Sequence, residues 1–148
     1  YVLNRMQAFS VREVQNAELH LAYVLLYRGD TDNAADLLQS HLEPIRREGR
    51  VFVETYLLCG LALVAARRGN WPQFETRFHQ MKAAAAESEN VDLDLASTMR
   101  MAANVAVDAG RSDLAIEALE FAIGQLGALG LDDKLADAQS EMRRLRKQ

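Results

Sequence analysis

The sequence predicts an all-α fold, an array of antiparallel helix pairs with about seven helices. Three observations predict it. The apolar runs are dominated by Ala, Leu and Met, which form helices readily, rather than by the β-branched residues of strands. Apolar residues recur at three- and four-residue spacing, and no sustained β-type alternation competes. Three similar turns punctuate the chain: Arg28-Gly29-Asp30-Thr31-Asp32, Arg68-Gly69-Asn70-Trp71-Pro72 and Ala109-Gly110-Arg111-Ser112-Asp113. Their glycines lie 40 and then 41 residues apart, the mark of a helical repeat.

The first helix is expected over 11–28, with residues 1–9 the stub of a preceding helix. Leu19, Leu21, Ala22, Val24, Leu25 and Leu26 make it apolar over a wide arc, so it should be covered from more than one side. Gly29 ends it in the left-handed conformation, and Asp30 offers an acceptor to the free amides of the next helix. That second helix, 33–48, places Ala34, Leu38, His41, Leu42 and Ile45 on one face. The third, 51–68, is apolar all round from Leu57 to Ala65. Arg28 and Arg68 sit in last turns, where positive charge is favoured. Asn70 caps the fourth helix, 72–88, and Pro72 fits its first turn because its missing amide hydrogen costs nothing there. The fifth covers 92–109. The sixth, 112–128, has Ser112 as its cap and an apolar face from Leu114 to Leu126. The seventh, 132–146, carries Leu135, Ala138, Met142 and Leu145 on one side and can cover the end of the array. The links at 48–50, 89–91 and 130–132 are short, so successive helices should be antiparallel neighbours. This gives one domain over 1–148, with repeats at about 11–50, 51–91 and 92–131 and a final helix at 132–147.

Composition sets bounds on function. Hydrophobic residues make up 49% and charged residues 26%, which excludes a disordered chain. No apolar run reaches the roughly 18 residues a membrane span needs. Cys59 is the single cysteine and has no internal disulfide partner. With nothing like a signal peptide at the start, a reducing, cytoplasmic location is expected. The first residue is Tyr1 rather than Met, so the chain reads as a fragment or a trimmed form of a longer protein. Net charge is −4, and four basic residues crowd the last six positions. The other 142 residues hold 13 basic and 21 acidic groups, a net −8 that repels nucleic acid. The basic end either meets an acidic partner or complements the dipole of its own helix.

The segment Gly29-Asp30-Thr31-Asp32-Asn33-Ala34-Ala35-Asp36-Leu37-Leu38 resembles the turn and second helix of a tetratricopeptide repeat. Ala34 and Ala115 fill the small position where two helices approach, and Ala22, Ala62 and Ala103 fill its counterpart in the first helix. Leu21 and Leu61 match the large apolar position before it. The resemblance covers about 15–127, three repeats. The period resembles the longer repeats of bacterial MalT-type transcription activators and of Leu-Gly-Asn-repeat scaffold proteins. Two departures stand out. Phe74 occupies the small position of the second repeat, so that pair should open or shift. The proline that usually ends a repeat is replaced by Arg46, Ala86 and Gly127.

The resemblance implies a right-handed superhelical array whose first helices line a concave groove for a protein or peptide. Carried over residue by residue, the groove is Asn16, Leu19, Tyr23 and Tyr27 in the first repeat. It is Tyr56, Cys59, Leu63 and Arg67 in the second, and Ser97, Arg100, Asn104 and Asp108 in the third. The tyrosines form an amphipathic aromatic patch suited to binding. Arg100 and Asn104, one turn apart, suit a carboxylate or a peptide backbone. They match only part of a two-carboxylate clamp, because Leu19, Tyr23 and Gly60 stand where charged or amide residues would be needed.

Catalytic and metal patterns do not emerge. His20, His41 and His79 form no metal spacing with Cys59. Asp30 and Asp32 start a calcium-loop spacing that fails at Ala35 and His41. Gly124, Gly127 and Gly130 follow a helix, whereas a phosphate loop follows a strand. Cys59 lies among leucines with no base nearby in sequence. The expected function is a protein–protein interaction scaffold, not an enzyme, with no cofactor, nucleic acid or membrane. The alternative is a regulatory or sensory segment of a bacterial signalling or transcription-regulatory protein that binds a small effector. Array ends can also bring copies together as a homo-oligomer.

Overall fold

The computed structural model describes residues 2–148, with side chains from Val11 onward, and every element among them is a helix. The seven are α1 (Val2–Arg28), α2 (Thr31–Arg47), α3 (Val51–Arg67), α4 (Trp71–Ser88), α5 (Leu93–Asp108), α6 (Ser112–Leu129) and α7 (Asp132–Arg146). α1 is one uninterrupted helix, so residues 2–9 extend it instead of ending a separate one. Tyr1 lies outside the described residues.

All six turns share one geometry. A residue with positive φ ends each helix, and the amide after it bonds back to the carbonyl five residues earlier. These bonds are Asp30 to Leu25, Arg50 to Ile45, Asn70 to Ala65, Asn90 to Ala85, Arg111 to Ala106 and Leu131 to Leu126, at 2.8–3.3 Å. They satisfy carbonyls that a helix end otherwise leaves open. Five of the positive-φ residues are glycines, and the sixth is Glu89 at φ 51°. The position after the first and second repeat glycines is a capping side chain. The Asn33 amide donates to Asp30 at 3.4 Å and the Gln73 amide to Asn70 at 3.3 Å. Ser112 does not cap α6. The residue after Gly110 is Arg111, which has no acceptor, and Ser112 is already helical. Trp71 is likewise the first residue of α4 rather than part of the turn.

The helices form two layers. α3 is the centre of the array: every residue from Leu57 to Ala66 is buried, and α3 packs against α4, α2, α5 and α1. Its all-round apolar surface is therefore covered, as a stacked array requires. Gly60 lets it approach α2, since a Cβ there would stand 2.7 Å from a Leu38 methyl. α1 behaves differently. It packs on α2 and, more lightly, on α3, while Leu21 and Val24 remain 49% and 44% exposed. The expected cover on both sides is not met among the described residues, where α1 has helices on one side only.

Phe74 does not open its own pair. α3 and α4 are the most extensively packed helices in the molecule, and Phe74 is fully buried, stacked on Phe78 at 5.6 Å. The irregularity falls between pairs. α4 and α5 do not run side by side despite their short link; α5 lies against α3, and α4 meets α6 through the Phe78–Phe121 edge contact at 6.3 Å. Rings of this size hold backbones apart where small residues let them close. Trp71 bridges the same step, with the Arg111 guanidinium 6.0 Å from its ring.

Candidate partner-binding groove

The first helices, α1, α3 and α5, approach one another more closely than α2, α4 and α6 do. They form one side of the two-layer array. A cavity of about 410 Å³ opens there. α1 contributes Asn16, Leu19, His20 and Tyr23; the start of α3 contributes Phe52, Val53 and Tyr56, with Arg50 before it. Asp92 and Asp94, at the start of α5, close the third side.

Hydrogen bonds fix the aromatic side chains. Tyr23 is only 6% exposed, and its hydroxyl donates to the Tyr56 carbonyl at 2.7 Å. The Tyr56 hydroxyl donates to Asp92 Oδ2 at 2.8 Å, and the Tyr27 hydroxyl to Asp94 Oδ1 at 2.6 Å. Burial, reinforced for Tyr27 and Tyr56 by these carboxylates, raises all three phenols above their ordinary range, with Cys59 the next cause after burial for Tyr23. Neighbouring rings meet edge to face, Tyr23 with Tyr27 and Tyr56 at 6.2 Å and Phe52 with Tyr56 at 5.7 Å. Beneath them, Asn90 is buried. Its amide donates to the Phe52 carbonyl at 3.2 Å, and its own carbonyl accepts from Gln125 at 3.1 Å. Gln125 in turn accepts the Asp92 amide at 2.8 Å. This network ties α3, the α4–α5 link and α6 together, and it positions the two aspartates.

Asn16, Tyr23 and Tyr56 of the expected groove meet at this cavity, with Tyr27 beside Asp94. Cys59 and Leu63 do not line it; both are fully buried between helices. The Cys59 thiol faces the Leu95 carbonyl at 3.9 Å, and burial pushes its pKa up to about 12, which keeps it protonated and inert. Arg67 is half-buried beside Thr31, with its pKa lowered by desolvation. Ser97 is half-buried, and Asp108 is exposed.

Arg100 is paired within the chain. Glu141 of α7 supplies a carboxylate at 2.5 Å. Asn104 is exposed and lines a separate recess of about 200 Å³ with Glu141 and Leu145, so the two ends of the expected groove are distinct. α7 brings Glu141 to Arg100 because its face of Ala138, Met142 and Leu145 buries against the array.

The sequence reading missed Phe52, Asp92 and Asp94. The signal for Phe52 was its i,i+4 spacing from Tyr56, which puts both on one helix face. The aspartates looked like helix-start residues, and Asp92 does cap α5 through the Asp94 amide at 2.7 Å. Their place in the groove depends on α5 lying against α3. Among the described residues no group of three His, Cys, Asp or Glu side chains could hold a metal ion. His41, on the apolar face of α2, meets Glu18 of α1 at 2.6 Å instead. No helix among the described residues is long and apolar enough to cross a membrane. Comparison with protein-family models, curated proteins and solved structures gave no match.

Proposed function

We propose that this chain is a tetratricopeptide-like interaction module, without catalysis, that takes a peptide or helix in the groove between α1, α3 and the start of α5. One observation carries the reading. The groove presents aromatic side chains held in place before binding, including Phe52 at 53% and Tyr27 at 44% exposure. Large rings that are already ordered lose little entropy when a partner covers them, and such residues dominate binding energy at interfaces. The buried, reduced Cys59 fits a cytoplasmic protein.

The direct test is selection of a random peptide library on the protein, followed by affinity measurement with Phe52→Ala and Tyr27→Ala. Loss of at least about tenfold in affinity, with circular dichroism unchanged, supports the groove. Selected peptides indifferent to both substitutions would remove it.

A second reading draws on the cavity itself. At about 410 Å³ it falls within the range of small-molecule sites, which suits an effector-binding segment of a bacterial regulatory protein. Under that reading a metabolite library raises the melting temperature and the peptide library yields no binder.

A further inference from the structure

We propose that the partner segment carries a basic side chain, Arg or Lys, and that this side chain enters the cavity with its apolar stem on Leu19 and Val53 and its charged end between Asp92 and Asp94. The inference rests on the groove reading above and names the chemistry the groove selects.

The charge balance of the cavity points this way. Asp92 and Asp94 have no ion-pair partner among the described residues. Their oxygens accept tyrosine hydroxyls, which orient the carboxylates without neutralising them. The cation on the opposite wall, Arg50, is already engaged, at 2.9 Å from Gln15 and 3.4 Å from Glu48. The α5 N-terminus, where Asp92 also accepts the Asp94 amide at 2.7 Å, offsets part of this charge, and His20 lines the same cavity. No full cation pairs with either aspartate, so an anionic occupant meets two carboxylates and no free guanidinium. A wholly apolar occupant would strip water from both carboxylates and return nothing. A cation returns charge-assisted hydrogen bonds to each of them. The rim fits the rest of such a segment. Val91 and Leu93, on either side of Asp92, are exposed apolar side chains, as is Phe52. An amphipathic segment with a basic residue beside its apolar face matches both.

The probe is a phage-displayed library of random peptides of about 16 residues, roughly 24 Å as a helix. Selected peptides are synthesised and measured by fluorescence anisotropy at low and at high salt. The double variant Asp92→Asn/Asp94→Asn keeps the α5 cap, since Asn caps as well as Asp. The expected result is enrichment of Arg or Lys at one fixed position and weakening by salt. Affinity should also fall at least about tenfold in the double variant, whose fold is checked by circular dichroism. Peptides that lose affinity with Phe52→Ala but lack a basic residue and ignore the double variant overturn the basic anchor and leave the groove standing. Peptides indifferent to all three substitutions, or no selected peptide at all, overturn both. Concentration-dependent self-association abolished by Arg144→Ser/Lys147→Ser would give the site to a second copy's α7 and overturn the separate partner.

Discussion

Glu89 stands where the other two links between pairs have glycine. The positive-φ residues of those links are Gly49, Glu89 and Gly130, spaced like the glycines within pairs. An L-residue in this conformation costs about 1–2 kcal/mol because its Cβ crowds the following carbonyl. Glu89 is exposed, so it gains no burial in return. Glu89→Gly should therefore stabilise the protein by about 0.5–1 kcal/mol after the extra chain entropy of glycine is counted, seen as a higher urea midpoint at unchanged slope. Thr98 is a second local liability. It is fully buried, and its hydroxyl makes no well-aligned hydrogen bond, with the Tyr27 hydroxyl and the Cys59 thiol nearby. Thr98→Val removes that unmet group at similar shape and should raise stability by about 1 kcal/mol; a loss in the urea titration would mean the hydroxyl is satisfied.

At the scale of elements, stability should be graded along the array. The run from Leu57 to Ala66 in α3 is buried on all sides, while α7 packs mainly on α6 and is tied further by Arg100–Glu141 and Arg146–Glu120. A helix with one main neighbour opens alone more readily than one packed on several sides. Native-state hydrogen exchange should find α3 amides exchanging only by global unfolding. Those of α7 should exchange at a free energy at least about 2 kcal/mol lower. Met142→Ala should lower both values by about 2–4 kcal/mol while leaving the gap unchanged, because α7 is open in both exchange-competent states. Uniform protection across both helices would contradict this. Most helix limits were legible in the sequence because glycine and capping residues are local signals. The third repeat shows the limit of that logic: Ser112 looked like a cap, but the place belongs to the residue directly after the glycine, which is Arg111.

For the whole molecule, the shared interior of α1, α3 and α5 couples folding to alkaline pH. The folded state raises Tyr23, Tyr27 and Tyr56 above 10.0 and Cys59 from 9.0 to about 12. Native protein thus holds these protons where the unfolded chain releases them, so their contribution is complete below about pH 9 and declines as pH rises from there. Ellipticity should stay flat to about pH 9 and then fall, with tyrosinate absorbance rising together with unfolding. Tyr56→Phe, which removes one such phenol, should make the alkaline loss shallower. The same interior marks the line between what the sequence determined and what it left open. Helix number, turn positions, the repeat period and the amphipathic faces follow from neighbours within a few residues, and the sequence states them by itself. The exposure of Leu21 and Val24, the burial of Cys59 and Leu63, the pairing of Arg100 with Glu141 and the entry of Asp92 and Asp94 into the groove depend on which helices lie side by side. That choice is a packing outcome summed over residues far apart in sequence, such as the Phe78–Phe121 contact between α4 and α6.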